Sequence, residues 1–206
     1  MELTVAESFN IAAKKHKEGK LREAETIYRE ALKASPNNSD AYHLLGLIAY
    51  QNNDSELAIN QIKKAIELKP DIAIYHFNLG TIYNSIKKES ESSEEYKKAV
   101  KIDAEFENAH LAYYNLAIDF KNKSEFSNSL EYYSKAIKLK PDFAEAHWNR
   151  GLILLLLGNL KEGFKEFEYR FKKKKFSDKR KFSIPQWDGS SLNNKKILIL
   201  SEQGFG

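Results

Sequence analysis

At 206 residues, 42% hydrophobic and 30% charged, the chain has material for one large domain with a buried core and a well-solvated surface. It contains no cysteine, which excludes a disulfide framework, a thiolate metal site and a cysteine nucleophile, and fits a reducing, cytoplasmic setting. The net charge of +4 is local: seven basic residues against Asp178 put residues 172–181 at +6, residues 182–206 balance, and residues 1–171 are left at −2.

Met1 leads into a polar stretch with Glu2 and Glu7, without the basic and apolar regions of a secretory leader. Apolar residues recurring three and four apart then predict helix pairs. They fall at about 3–17 with 20–34, 39–52 with 55–68, 73–86 with 89–102, 106–122 with 125–139, and 143–157 with 160–174. The longest apolar run, residues 152–157, is far shorter than the roughly 20 residues a membrane span needs.

Internal self-similarity organises these pairs. Pro36 and Pro70 stand 34 residues apart in related turns, and Pro141 repeats them. Proline there stops a second helix before the next pair begins. One column of small residues reads Ala12, Gly46, Gly80, Ala117 and Gly151, with three residues inserted before Ala117. Others read Ala24, Ala58, Ser92, Ser129, Gly163, and Ala31, Ala65, Ala99, Ala136, the latter broken by Arg170. A bulky column reads Tyr28, Ile62, Tyr96, Tyr133, Phe167. Small opposite bulky is what two antiparallel helices need to approach closely.

Tyr42, Leu45, Gly46, Ala58, Ile62, Ala65 and Pro70 resemble the tetratricopeptide (TPR) repeat, and the resemblance covers roughly residues 5–175 in five phased copies. It implies an all-α, right-handed α-solenoid of five helix-turn-helix pairs over 1–175, with repeats near 5–38, 39–72, 73–109, 110–143 and 144–175. Each unit touches only its neighbours, and the first helices line a concave surface. Ala104 stands where proline is expected, and the insertion near 103–108 lengthens a helix or its turn. Arg170 and Lys175 in the last copy predict a polar outer face.

On the first helices, Asn10, Asn78, Asn115 and Asn149 form a column, with Leu44 as its exception. An amide offers an acceptor and two donors, so such a file can read the backbone of an extended peptide; alternatively it solvates the concave face. The column resembles the asparagine ladder of protein O-linked N-acetylglucosamine transferases, which implies peptide contact. One residue earlier run Phe9, His43, Phe77, Tyr114 and Trp148, either groove wall or inter-repeat packing. Tyr50, Asn84 and Lys121 flank the same face. The basic clamp of chaperone-binding tetratricopeptide proteins is missing, since Phe9, Ala13, Ala6 and Leu44 occupy its places.

The expected partner is therefore a polypeptide in extended form, with no cofactor, no nucleic acid and no membrane span, and with self-association through terminal helices or a C-terminal strand as an alternative. His43, His76, His110 and His147 do not share one column and suggest no metal site. Glu23, Glu25, Glu30, Glu94 and Glu95 read as solvated outer-face residues. The basic run 172–181 reads as a solvated cap.

Beyond it, residues 176–195 read as a linker, and residues 196–206 as a first strand and glycine turn of an α/β domain. Pro185, Trp187, Gly189, residues 197–200 and Glu202-Gln203-Gly204 resemble the junction between such repeats and a glycosyltransferase-like domain in bacterial proteins. That resemblance implies a substrate-recruiting arm whose catalytic half is absent from this sequence. A frayed tail, or a strand packed on the last pair, is the other reading.

Overall fold

The computed structural model describes residues 5–172, which form ten α-helices and a closing 3-10 turn. α1 (Val5–Lys17) pairs with α2 (Leu21–Ala34), α3 (Ser39–Gln51) with α4 (Ser55–Leu68), and α5 (Ala73–Ser85) with α6 (Glu89–Ile102). α7 (Ala109–Asn122) pairs with α8 (Phe126–Leu139), and α9 (Ala144–Leu156) with α10 (Leu160–Phe167), which runs into the 3-10 turn Glu168–Lys172. Each helix packs on its pair partner and then on the adjoining pair, so the molecule is an α-solenoid. No strand occurs among the described residues. The predicted linker and strand, 176–206, lie outside them.

Local chemistry sets the helix ends. The side chains of Asn38 and Asp54 accept hydrogen bonds from the backbone N–H of Ala41 (3.0 Å) and Leu57 (2.9 Å), satisfying donors left open in the first turn. Within every pair the chain reverses through one left-handed residue: Gly19, Asn53, Lys87, Ser124 and Gly158, with φ between 61° and 81°. These five share one repeat position. Lys87 and Ser124 accept a conformation that suits glycine because backbone bonds close the turn, from Lys88 N–H to Tyr83 O and from Glu125 N–H to Phe120 O, both 2.9 Å.

The small columns mark the close approaches. A Cβ added to Gly46 would lie 2.6 Å from Ile62 Cγ1, one on Gly80 3.0 Å from the Tyr96 ring, and one on Gly151 2.7 Å from the Phe167 backbone N. Ser92 and Ser129 donate to the carbonyls of Gly80 (2.9 Å) and Ala117 (2.7 Å) across the same contact. Tyr28, Ile62, Tyr96 and Tyr133 fill the space between helices and are essentially inaccessible.

Two expectations are refined. The three inserted residues divide between the α6–α7 connector, which spans 103–108 where other inter-repeat connectors have four residues, and α7, one residue longer than α5. That connector brings Phe106 to 5.6 Å from Phe77. The polar outer face expected of the last repeat is corrected: Leu156, Leu157, Leu160 and Phe164 are more than half exposed there. Arg170 instead lies over the Phe167 and Phe171 rings at 4.5 and 3.9 Å.

Candidate functional site

The asparagine column lies on α1, α5, α7 and α9. Asn10 is exposed, Asn78 and Asn115 are half-buried, and Asn149 is only 7% exposed. Three of these amides reach toward the preceding repeat. Asn78 Nδ2 lies 2.7 Å from His43 Nε2, and Asn149 Nδ2 donates to the Tyr114 hydroxyl at 3.1 Å. The Asn115 amide lies beside the Tyr96 phenol. The column is thus a seam between repeats as well as a polar file, and Asn149 is largely committed to the seam.

Leu44, the exception in the column, packs on the core around Tyr28. Tyr28 holds the position that Tyr96 holds two repeats later, and its buried hydroxyl has no partner.

The aromatic file packs mostly inward. Phe9 meets Tyr28 at 5.3 Å, Phe77 meets Tyr96 at 5.7 Å, and Tyr114 meets Tyr133 at 5.8 Å between ring centroids. His43 lies against Tyr75 of the next repeat at 4.6 Å. His43 and Phe77 are buried, so the structure seats both between helices, whereas Phe9, Tyr114 and Trp148 remain half-buried. Tyr50 and Lys121 are half-buried and Asn84 is exposed.

Burial is the largest influence on His43 and pushes its pKa down to about 4, against the opposing attraction of Asp40. The ring is neutral near pH 7, and Nε2 can accept only if the proton sits on Nδ1. Neutral His43 thus tethers the Asn78 amide, accepting from it or donating to it according to which ring nitrogen carries the proton. Tyr75, buried and hydrogen-bonded to Asp40 and to Ser39 Oγ (3.2 Å), is pushed up to about 12, chiefly by burial.

Glu95 corrects the outer-face reading: it is largely buried and bonds His76 at 2.6 Å. Glu166 does the same for His147, also at 2.6 Å. The signal was present in the sequence, since each His follows a proline by six residues and precedes its Glu by 19. It is invisible when histidines are compared as one set, because His43 and His110 belong to other columns. Among the described residues no group of three or more His, Asp or Glu could hold a metal, and no helix is long and apolar enough to cross a membrane.

Comparison with known proteins agrees with the geometry. Models described as tetratricopeptide repeat match residues 15–77 and 73–106, and a TPR repeat model matches 119–158. Protein FlbA of Caulobacter vibrioides is 26% identical over 175 residues, covering 84% of this chain and 29% of FlbA. A protein O-mannosyl-transferase of Caenorhabditis elegans is 29% identical over 75 residues, 36% of this chain and 11% of that protein. The chain thus spans less than a third of the length of either relative. The crystal structure of MamA superposes with a TM-score of 0.67 at 25% identity, covering 86% of this chain and 98% of MamA. Phased helix pairs, close contacts at the small columns and these matches together make the chain a tetratricopeptide repeat protein.

Proposed function

We propose that this solenoid is a protein-interaction module that holds an extended polypeptide along its first helices, with Asn10, Asn78 and Asn115 as the accessible polar contacts. The observation that carries the reading is the half-exposed amide of Asn78, tethered 2.7 Å from the ring of neutral His43. An amide tethered in advance loses less entropy on binding than a free one. The amide atoms that His43 leaves open suit the donors and acceptors of a peptide backbone. Asn149, being buried, supports the wall, and Phe9, Tyr114 and Trp148 supply apolar area beside the file.

The test is binding of the full chain to a peptide array, compared with a variant carrying Asn10→Ala, Asn78→Ala and Asn115→Ala. Sequence-tolerant binding that falls at least tenfold in the variant, with the helical circular dichroism intact, is the expected result. Equal binding by both proteins would sink the amide file.

A second reading, self-association through the terminal helices, is favoured by the apolar surface of Leu156, Leu157, Leu160 and Phe164 on the last repeat. A third, the recruiting arm of a glycosyltransferase, is supported by the resemblance of residues 185–204 to a repeat–transferase junction. It agrees with the mannosyl-transferase match, which covers only 11% of that protein. It requires the native reading frame to continue past Gly206 into a catalytic domain, and sequencing the intact gene decides it.

A further inference from the structure

His76, in the first turn of α5, is buried. Its Nδ1 lies 2.6 Å from Glu95 Oε2 on α6, and its Nε2 lies 2.9 Å from the carbonyl oxygen of Pro70, in the turn that ends the second repeat. Both ring nitrogens thus face oxygen acceptors. A carbonyl has no proton to give. Burial disfavours the Glu95 carboxylate, but its bonds from His76 and Lys98 outweigh that and hold its pKa below the usual range. A neutral imidazole has one N–H; only the imidazolium has two.

The arrangement recurs in the fifth repeat. His147 Nδ1 lies 2.6 Å from Glu166 Oε2 and Nε2 lies 3.0 Å from the Pro141 carbonyl. The cation bonded to the second carboxylate oxygen is also repeated: Lys98 at 2.9 Å from Glu95, Arg150 at 2.7 Å from Glu166. The His, Glu and Pro recur at equivalent repeat positions, while the cation comes from α6 in one copy and from α9 in the other.

We propose that the folded solenoid holds His76 as an imidazolium cation, so that one bound proton ties α5 to α6 and both to the end of the preceding repeat. The charged groups around it are few. Glu95 and Lys98 approach from α6, with Glu94 bonded to Lys98 on the solvent side. Lys69 and Asp71 flank Pro70 but are exposed. On α3, Asp40 is taken by the Tyr75 hydroxyl. Burial works against the cation, yet the bonds to Glu95 and Pro70 and the attraction of Glu95 outweigh it and the repulsion of Lys98, and the imidazole is held above 6.5. A raised folded-state value means the stabilisation is complete below pH 6.5 and is lost as pH rises through that folded value.

Long-range 1H–15N spectra of the full chain test this directly. At pH 6.0 both ring nitrogens of His76 are expected to give the imidazolium signature, while buried His43 gives a neutral tautomer in the same spectrum. The His76 midpoint should lie above 6.5 and fall in Glu95→Gln, which keeps the shape and removes the charge. In thermal unfolding, the gap between wild type and Glu95→Gln should be widest near pH 6, roughly 2–4 °C, and narrow at alkaline pH to what the lost Lys98 pair leaves. A neutral His76 at pH 6.0 in the wild type overturns the proposal whether or not the variant folds, and so does a midpoint that Glu95→Gln leaves unchanged.

Discussion

Tyr28, Tyr96 and Tyr133 occupy one column, are equally buried, and differ in what their hydroxyls meet. Tyr96 reaches Thr81 at 3.3 Å, while the hydroxyls of Tyr28 and Tyr133 have no partner. A buried hydroxyl without a partner costs desolvation and returns nothing. Tyr133→Phe is therefore expected to be neutral or stabilising, and Tyr96→Phe to cost about 1 kcal/mol, measured by urea unfolding. Equal losses for the two would contradict this account. His43 gives a pH effect of the opposite sign to His76. Its folded-state pKa of about 4 lies below the unfolded value, so stability is expected to fall as pH drops from 6.5 toward 4, by roughly 3 kcal/mol in the limit. His43→Phe should flatten that acid limb, and an unchanged limb would show that other groups cause it. Residue identities alone did not separate these cases: His43 and His76 are both buried, and only their neighbours decide that one is neutral and the other charged.

Within an element pair, the sequence columns translate almost directly into contacts, because small-against-bulky is a local geometric requirement. Gly46→Ala is the sharpest check. Its Cβ would fall 2.6 Å from Ile62 Cγ1 and 3.1 Å from the Ala58 carbonyl oxygen. A loss of about 1–3 kcal/mol is expected from that overpacking, with partial rescue by Ile62→Val, which removes a methyl group near the clash. A substitution without cost would mean that α3 and α4 can slide apart. The five left-handed turn positions were half legible. Gly19, Gly158 and Asn53 announce such a turn, but nothing in Lys87 or Ser124 does, since there the conformation is imposed by the helices on either side. The α6–α7 connector was legible as an insertion and not as a structure, because three residues can be absorbed by a turn or a helix at similar cost.

At the scale of the whole molecule, each repeat covers its predecessor and the last described one is left open. Leu156 and Phe164, 67% and 57% exposed, are expected to drive concentration-dependent association if nothing else covers them. Light scattering of the wild type and of Leu156→Glu with Phe164→Glu checks this. A wild-type monomer at every concentration would remove the self-association reading, and association lost in the double variant would support it. The amide file also belongs to this scale. Its spacing was visible in the sequence; its accessibility was not, because burial depends on how one pair leans on the next.

Five phased columns of small, bulky and turn residues were enough by themselves to determine the helical pairs, their order and the solenoid, since those features rest on contacts near in sequence and repeated in kind. The tertiary structure alone decided which polar groups face one another across repeats: Asn78 with His43 and Asn149 with Tyr114. Such pairings depend on the angle and offset between stacked units, which no single repeat encodes, and the charge state of each buried group follows from them.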